Sequence, residues 1–239
     1  MKKVHITLQG KGGVGKSLVA SLLAQYNLEK DQSILCIDTD PINATLSGYA
    51  AFSAKYIRLM DGTRLDERQF DQMMESILEN DAHHVIDNGA SSFIPLSNYL
   101  IENNAIEMLQ AARKQVVVHS VITGGQALLD TLNGFSQLAQ QLPENVQIVV
   151  WLNEYFGQIS LDSKHFEEMK AYTENKHRIH GLIRIPKQSS DTFGKDIAQM
   201  LDSKLTFADI DHHPDFGLMA KQRLSMVKKT LFDQMTCII

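Results

Sequence analysis

The sequence predicts an α/β fold: a doubly wound, mostly parallel sheet with helices on both faces. Strand, loop, helix and strand patterns follow one another within about 35 residues of the N-terminus, a βαβ unit whose crossover is expected to be right-handed. The run Ser33-Ile34-Leu35-Cys36-Ile37 is almost continuously apolar, as in strands covered by helices on both sides. Between the first strand and the first helix lies Gly10-Lys11-Gly12-Gly13-Val14-Gly15-Lys16-Ser17, which satisfies the phosphate-loop template GxxxxGK[ST].

That loop sets the chemistry to expect. Gly10, Gly12, Gly13 and Gly15 let the chain wrap closely around an anion, because residues without a Cβ take φ > 0 and turn backbone N–H groups inward. The following helix adds unpaired N–H groups and the positive end of its dipole. Lys16 should reach the β and γ phosphates of a nucleotide. The Ser17 hydroxyl should ligate Mg²⁺, an ion usually held by few protein groups together with phosphate and water. A glycine-rich turn with an incidental lysine would require neither the strand before it nor the helix after it.

In chain order, Val4 to Leu8 reads as the first strand. Lys16 to about Leu28 reads as the first helix, with Leu18, Val19, Leu22, Leu23 and Tyr26 on one face. The second strand ends in Asp38-Thr39-Asp40-Pro41. Ligands of such sheets bind outside the carboxyl ends of strands, so both carboxylates should face the loop; two turn-forming aspartates before a proline are the plainer alternative. Tyr56 to Met60 is a candidate short strand, and Phe70, Met73, Met74 and Ile77 give a core-facing helix from about Asp66 to Glu79. His84-Val85-Ile86 runs into Asp87-Asn88-Gly89-Ala90. His83 and His84 lack a third ligand at a metal spacing and read as strand-edge residues.

Further on, Ser97 to Lys114 has the pattern of a helix and Gln115 to Val121 that of a strand. Gly124-Gly125 opens a helix to about Leu142, which Pro143 closes. Val146 to Leu152 is a strand ending in Asn153-Glu154. Ser160 is expected to cap a helix to about Glu174, followed by a strand from Ile179 to Ile185 that Pro186 ends. Ala198 to Leu201 belongs to another helix, and Asp209 to Pro214 reads as a polar loop with a solvated His212-His213 pair. A last helix, about Gly217 to Met235, places Ala220, Leu224, Val227, Leu231 and Met235 on one face. Its basic residues Lys221, Arg223, Lys228 and Lys229 are scattered rather than striped, so it should dock on its own domain.

Composition narrows the classes. With 239 residues, 44% of them hydrophobic, the chain can build one full-sized α/β domain, read here as residues 1–239. A net charge of -5 argues against a wholly basic nucleic-acid binder but leaves room for a local basic patch. Cys36 lies inside an apolar run, Cys237 near the end, and there is no CxxC, which fits a reducing compartment. No run reaches the ~18 apolar residues of a spanning helix, and the first residues lack the apolar region of a signal peptide. The expected location is the cytoplasm.

Lys11-Gly12-Gly13-Val14-Gly15-Lys16-Ser17 resembles the deviant Walker A loop of the MinD and ParA family of P-loop ATPases. The resemblance implies a P-loop NTPase fold with ATP and Mg²⁺ as cofactors. Gly12, Gly13, Val14, Gly15, Lys16, Ser17 and Leu18 would hold the phosphates, and Lys11 would cross a nucleotide-sandwiched dimer to touch the partner's nucleotide. Ile37 to Pro41 resembles the family's IDxDP switch segment: Asp38 would lie near the Mg²⁺ and its waters, and Asp40 would orient or activate the attacking water. Asp87 resembles the acid of a Walker B strand and would hold Mg²⁺ through water, with Gly89 offering its N–H to the γ phosphate. Lys11, Lys16 and Asp40 are thus the implied catalytic residues, and Ser17, Asp38 and Asp87 the implied metal-site residues. Asn153 resembles the asparagine that reads adenine, and the segment Ile185 to Gln188, with Pro186, would lie over the base. Two departures stand out. Gly89 occupies a position where proline is common, and Leu18 one where a second hydroxyl residue is common.

Asp87-Asn88-Gly89-Ala90-Ser91-Ser92-Phe93-Ile94-Pro95-Leu96 and Trp151-Leu152-Asn153-Glu154-Tyr155-Phe156-Gly157 resemble a ParA-like branch, the TraL-type proteins of conjugative plasmids. The function implied is an ATP-binding, slowly hydrolysing dimerisation switch in plasmid transfer or DNA partition. Its implied partners are an ATP-dependent second copy and a protein of the transfer or partition system. Nonspecific DNA is a further candidate surface, and a membrane is not expected. The rival readings are a synthetase-like ATP-dependent enzyme, for which no set of extra basic residues is evident, and a membrane-recruited MinD-like regulator. Electron transfer of the nitrogenase iron-protein kind would require cluster cysteines in the switch segments, whereas Cys36 falls in a strand expected to be buried and Cys237 is remote.

Overall fold

The computed structural model describes residues 1–62 and 64–239. Its centre is a seven-stranded sheet built from β1 (Lys2–Thr7), β2 (Ile34–Asp38), β3 (Lys55–Tyr56), β4 (His83–Asp87), β5 (Lys114–Thr123), β6 (Gln147–Asn153) and β7 (Ile179–Ile185). The spatial order is β7-β6-β5-β1-β4-β2-β3, and every pairing is parallel. The helices are α1 (Lys16–Glu29), α2 (Gln69–Glu79), α3 (Phe93–Glu102), α4 (Ala105–Ala111), α5 (Leu128–Gln141), α6 (Lys170–Asn175), α7 (Phe193–Asp202), α8 (Phe207–Ile210) and α9 (Leu218–Ile238). The chain leaves β1 towards β4 and β2 on one side and later fills β5, β6 and β7 on the other. The crevice for a ligand therefore opens above the carboxyl end of β1.

Two cores sandwich the sheet. Val116, Val118 and Ile122 of β5 face α2, α3, α4 and α5. Val117 and Val121 face the opposite layer, α1, α7, α8 and α9. This is the period-two alternation of a strand with both faces covered. The second face also buries a polar chain. The Trp151 Nε1–H donates to His119 Nδ1 at 3.0 Å, and His119 Nε2 meets His5 Nδ1 at 2.9 Å. Because an indole N–H can only donate, the His119 proton must sit on Nε2 and be given to His5. Burial drives the His119 ring down to about 3, so the chain is held in its neutral form.

His84 provides a test of burial. The sequence placed it at a strand edge, but β4 runs between β1 and β2 and the side chain has no exposure. Its ring is held down at about 4, chiefly by burial. The unfolded chain takes up this proton near pH 6.5 and the folded chain does not. The stabilisation is therefore complete above about 6.5 and declines as pH falls towards 4. Replacing His84 with leucine should flatten the fall in urea-unfolding stability between about pH 6 and 4.5 by ~1.4 kcal/mol per pH unit.

Other expectations need correction. The helix expected from Ser97 to Lys114 is α3 and α4, separated where Asn104 takes φ 49°, a left-handed conformation that asparagine tolerates; Arg113 at φ 59° then reverses the chain, and Lys114 already belongs to β5. The helix expected from Ser160 is replaced at its start by a hairpin pairing Ser160–Leu161 with Lys164–His165. Asp162 and Ser163 both take positive φ there, as a tight hairpin turn requires, and only Lys170–Asn175 is α-helical. Between Tyr56 and Met60 no single strand forms: Lys55–Tyr56 joins the main sheet, and Met60–Asp61 pairs with Arg64–Leu65. Part of the polar loop at Asp209 is α8, whose first turn is capped reciprocally by Thr206 and Asp209.

The last helix docks as expected, burying Leu224, Val227, Leu231, Phe232 and Met235. Its basic groups are engaged by neighbours. Lys221 donates to the Asp211 carbonyl at 2.9 Å, Arg223 pairs with Asp196 at 2.5 Å, and Lys228 and Lys229 pair with Glu29 and Asp233. Gln234 closes the open edge of β7. It accepts from the Arg184 N–H at 2.8 Å and donates to the Arg184 carbonyl at 3.0 Å, replacing the strand that would otherwise find that edge.

Candidate nucleotide-binding site

The sheet register assembles the acidic side of the site. Thr7, Asp87 and Asp38 are aligned across β1, β4 and β2, at the carboxyl ends of adjacent strands. The loop from Gly10 to Ser17 arches from β1 into α1 beside them. Gly13 and Gly15 take φ 73° and 107°, the left-handed values that favour glycine. Gly10 and Gly12 do not share that conformation, so the expected wrapping rests on Gly13 and Gly15. Lys16 is buried, and its ammonium donates to the Lys11 carbonyl at 3.0 Å. Desolvation lowers its proton affinity, while Asp87 and Asp40 act to restore it.

Asp87 is the most perturbed carboxyl of the site. Burial, reinforced by the Asp38 charge, drives it up to about 7 against the opposing pull of the Ser17 and Thr7 hydroxyls and Lys16. One oxygen accepts from Thr7 Oγ1 at 3.1 Å, and the other, Oδ2, is buried without a hydrogen-bond partner. Such an acceptor fits a hydrated cation. Among the described residues no three His, Cys, Asp or Glu side chains converge into a metal cage. A Mg²⁺ held near Ser17, Asp38 and Asp87 would therefore complete its shell with phosphate oxygens and water, its usual arrangement.

The two switch-like aspartates have different surroundings. Asp38 is fully buried and accepts from the Ser47 N–H at 2.9 Å and the Asp40 N–H at 3.1 Å. Burial raises its pKa, and these donors oppose the rise. Asp40 folds its own turn, accepting from the Ile42 N–H at 2.9 Å. Its Oδ1 would lie 2.8 Å from a Cβ at position 89. That contact explains one departure from the family pattern, because any side chain at Gly89, proline included, would collide with Asp40.

At the opposite end of the site, Asn153 is 2% exposed. Its amide Nδ2 donates to the Val14 carbonyl at 2.9 Å and its Oδ1 accepts from the Tyr155 N–H at 3.2 Å. The group expected to meet a purine edge is thus already engaged with the phosphate loop. Pro186 is half-buried and lies just past Ile185, the register partner of Asn153. Leu18 packs against the second core, which accounts for an apolar residue there. Lys11 is exposed and paired with Asp130 of α5 at 2.8 Å.

Sequence reasoning missed Thr7, Ser47, Asp130 and Thr39. Thr39 Oγ1 shares its one proton between the Asp87 carbonyl at 3.0 Å and Asn88 Oδ1 at 3.2 Å, tying the segments after β2 and β4 together. None of these has a local motif: Thr7 and Thr39 meet their partners across neighbouring strands, Ser47 reaches Asp38 from an irregular segment, and Asp130 reaches Lys11 from α5. The other departure is testable: Leu18→Thr should tighten nucleotide binding by ~2–10-fold in a titration, the worth of one net hydrogen bond.

A buried phosphate-loop lysine facing paired aspartates at the carboxyl edge of a parallel sheet defines a nucleotide-binding P-loop protein. Residues 6–201 match the CobQ/CobB/MinD/ParA nucleotide binding domain, and the chain belongs to that family, whose MinD and ParA members are P-loop NTPases. It is 48% identical over 235 residues to Protein TraL of Escherichia coli, covering 98% of each chain. Its fold is also that of MinD from the MinC:MinD cell division protein complex of Aquifex aeolicus (TM-score 0.52, 13% identity, 97% and 96% of the two chains). MinD complexed with Mg-ADP from Pyrococcus horikoshii OT3 is similar as well (TM-score 0.51, 16% identity, 96% and 95%). Among the described residues no helix is long and apolar enough to cross a membrane.

Proposed function

We propose that this protein is an ATP-driven dimerisation switch that hydrolyses ATP slowly and serves conjugative plasmid transfer or DNA partition. The observation that carries the reading is the convergence of half-buried Ser17 with buried Lys16, Asp38 and Asp87, the last with an unpartnered Oδ2, on one edge of the sheet. In the bound state Lys16 exchanges the Lys11 carbonyl for β and γ phosphate oxygens. The first N–H groups of α1 grip the same phosphates. Mg²⁺, when bound, neutralises charge on those oxygens, with Ser17, Asp38 and Asp87 as its holders. Asp40 orients the attacking water and accepts its proton late, since phosphoryl transfer depends mainly on positioning and charge. Pro186 and its neighbours flank the base.

A second copy is the proposed partner of the closed state. Ile42, Ile94, Leu129, Tyr155 and Phe156 are all exposed, and each follows closely on the carboxyl end of a sheet strand. They form an apolar rim around the nucleotide edge, the kind of surface that marks an association site. Lys11 leaves Asp130 to reach the partner's nucleotide. That pair is solvent-exposed, so its release costs about 0–1 kcal/mol. The similarity to TraL supports a transfer-system protein as the recipient of the closed dimer.

Metal dependence tests the site. In wild type, EDTA should weaken ATP binding in a fluorescence titration. Asp87→Asn should abolish most of that difference and lower phosphate release by ~10²-fold or more. An EDTA effect of undiminished size in the variant would remove Asp87 from the metal site.

A further inference from the structure

The Asn153 side chain joins the carboxyl end of β6 to the phosphate loop, and its geometry fixes its orientation. The Tyr155 N–H can only donate, so the amide oxygen faces Tyr155 and the amide nitrogen faces the Val14 carbonyl. The backbone of Asn153 is fixed as well, because Thr123 Oγ1 donates to its carbonyl at 2.9 Å. On the loop side, a Cβ at Gly15 would stand 2.7 Å from Asn153 Nδ2. Gly15 thus serves two ends: it takes φ 107° and leaves room for the amide. Val14 is 2% exposed, and among the described residues Asn153 is the one hydrogen-bond donor to its carbonyl.

We infer that Asn153 is a positioning residue of the phosphate loop: its amide holds the Val14 carbonyl, and with it the Val14–Gly15 turn that presents N–H groups and Lys16 to the triphosphate. The inference rests on the proposal that this edge binds ATP, and it assigns Asn153 to the phosphate end of the ligand rather than to recognition of the base. Holding the loop before binding removes the need to order it during binding, which raises affinity for any polyphosphate whatever base it carries.

Inorganic tripolyphosphate, which has no base, separates the two roles. Its affinity and those of ATP and GTP are measured with Mg²⁺ on wild type, Asn153→Ala and Asn153→Leu, the last keeping the shape of the side chain. Folding of each variant is checked by circular dichroism. Both variants should lose affinity for tripolyphosphate and ATP by the same factor, ~5–100-fold for an unpaired buried carbonyl, with the ATP-to-GTP preference unchanged. Loss of ATP affinity with tripolyphosphate affinity intact would overturn the inference and make Asn153 a base reader. A lowered melting temperature with both affinities intact would also overturn it, leaving a purely structural residue. In wild type, the Asn153 side-chain amide resonances should shift when tripolyphosphate binds, and an unmoved pair contradicts the inference whatever the variants do. Wild type that binds neither ATP nor tripolyphosphate refutes the nucleotide site itself, an outcome distinct from these.

Discussion

Lys16→Ala is expected to reduce ATP hydrolysis by ~10²–10³-fold, the effect of removing one preorganised charge-stabilising donor, and to weaken ATP binding in parallel. The ammonium is buried and aimed into its own loop, donating to the Lys11 carbonyl. A phosphate oxygen entering the loop offers it a stronger, charge-assisted partner. Glutamine at this position keeps a donor but not the charge, and should recover little of the loss. The measurement is phosphate release under saturating ATP together with equilibrium titration of the nucleotide. Hydrolysis within a factor of a few of wild type would show that the loop is not the catalytic phosphate site.

Lys11→Ala should lower hydrolysis by ~10³-fold, the range for a cation supplied from a partner subunit, while leaving ATP binding to the isolated chain close to wild type. The contrast with Lys16 follows from the geometry. Lys11 is 44% exposed in its side chain and rests on Asp130, outside the loop's own phosphate cradle. Asp130→Ala provides the control. An exposed ion pair is worth about 0–1 kcal/mol, so hydrolysis by that variant should stay within ~5-fold of wild type. If Lys11→Ala hydrolyses ATP normally, action across a dimer is excluded.

Much of this was legible because single residues carry strong local constraints. The loop from Gly10 to Ser17 places itself between a strand and a helix, and the run Ile34 to Asp38 ends with its carboxylate on the ligand edge. β7 was bounded correctly from Ile179 to Ile185 because Pro186 ends it. What remained hidden depends on contacts distant in the chain. Thr7 meets Asp87 only because β1 and β4 are neighbours, and Ser47 reaches Asp38 through an irregular segment without periodicity. Local conformation hid other features: Asp162 and Ser163 look like ordinary helix-surface residues, yet their positive φ makes a hairpin. Asn153 was located by its position at the end of a strand, but the partner of its amide could be known only from the fold.

Sedimentation of wild type and Lys16→Ala without nucleotide, with ADP, and with ATP plus Mg²⁺ tests the central claim most directly. A switch of this kind requires that ATP bind the closed dimer more tightly than the open monomer. Wild type should therefore be dimeric with ATP plus Mg²⁺ and monomeric otherwise, and Lys16→Ala monomeric throughout. A wild-type protein that binds ATP yet sediments as a monomer under every condition would contradict the dimerisation switch.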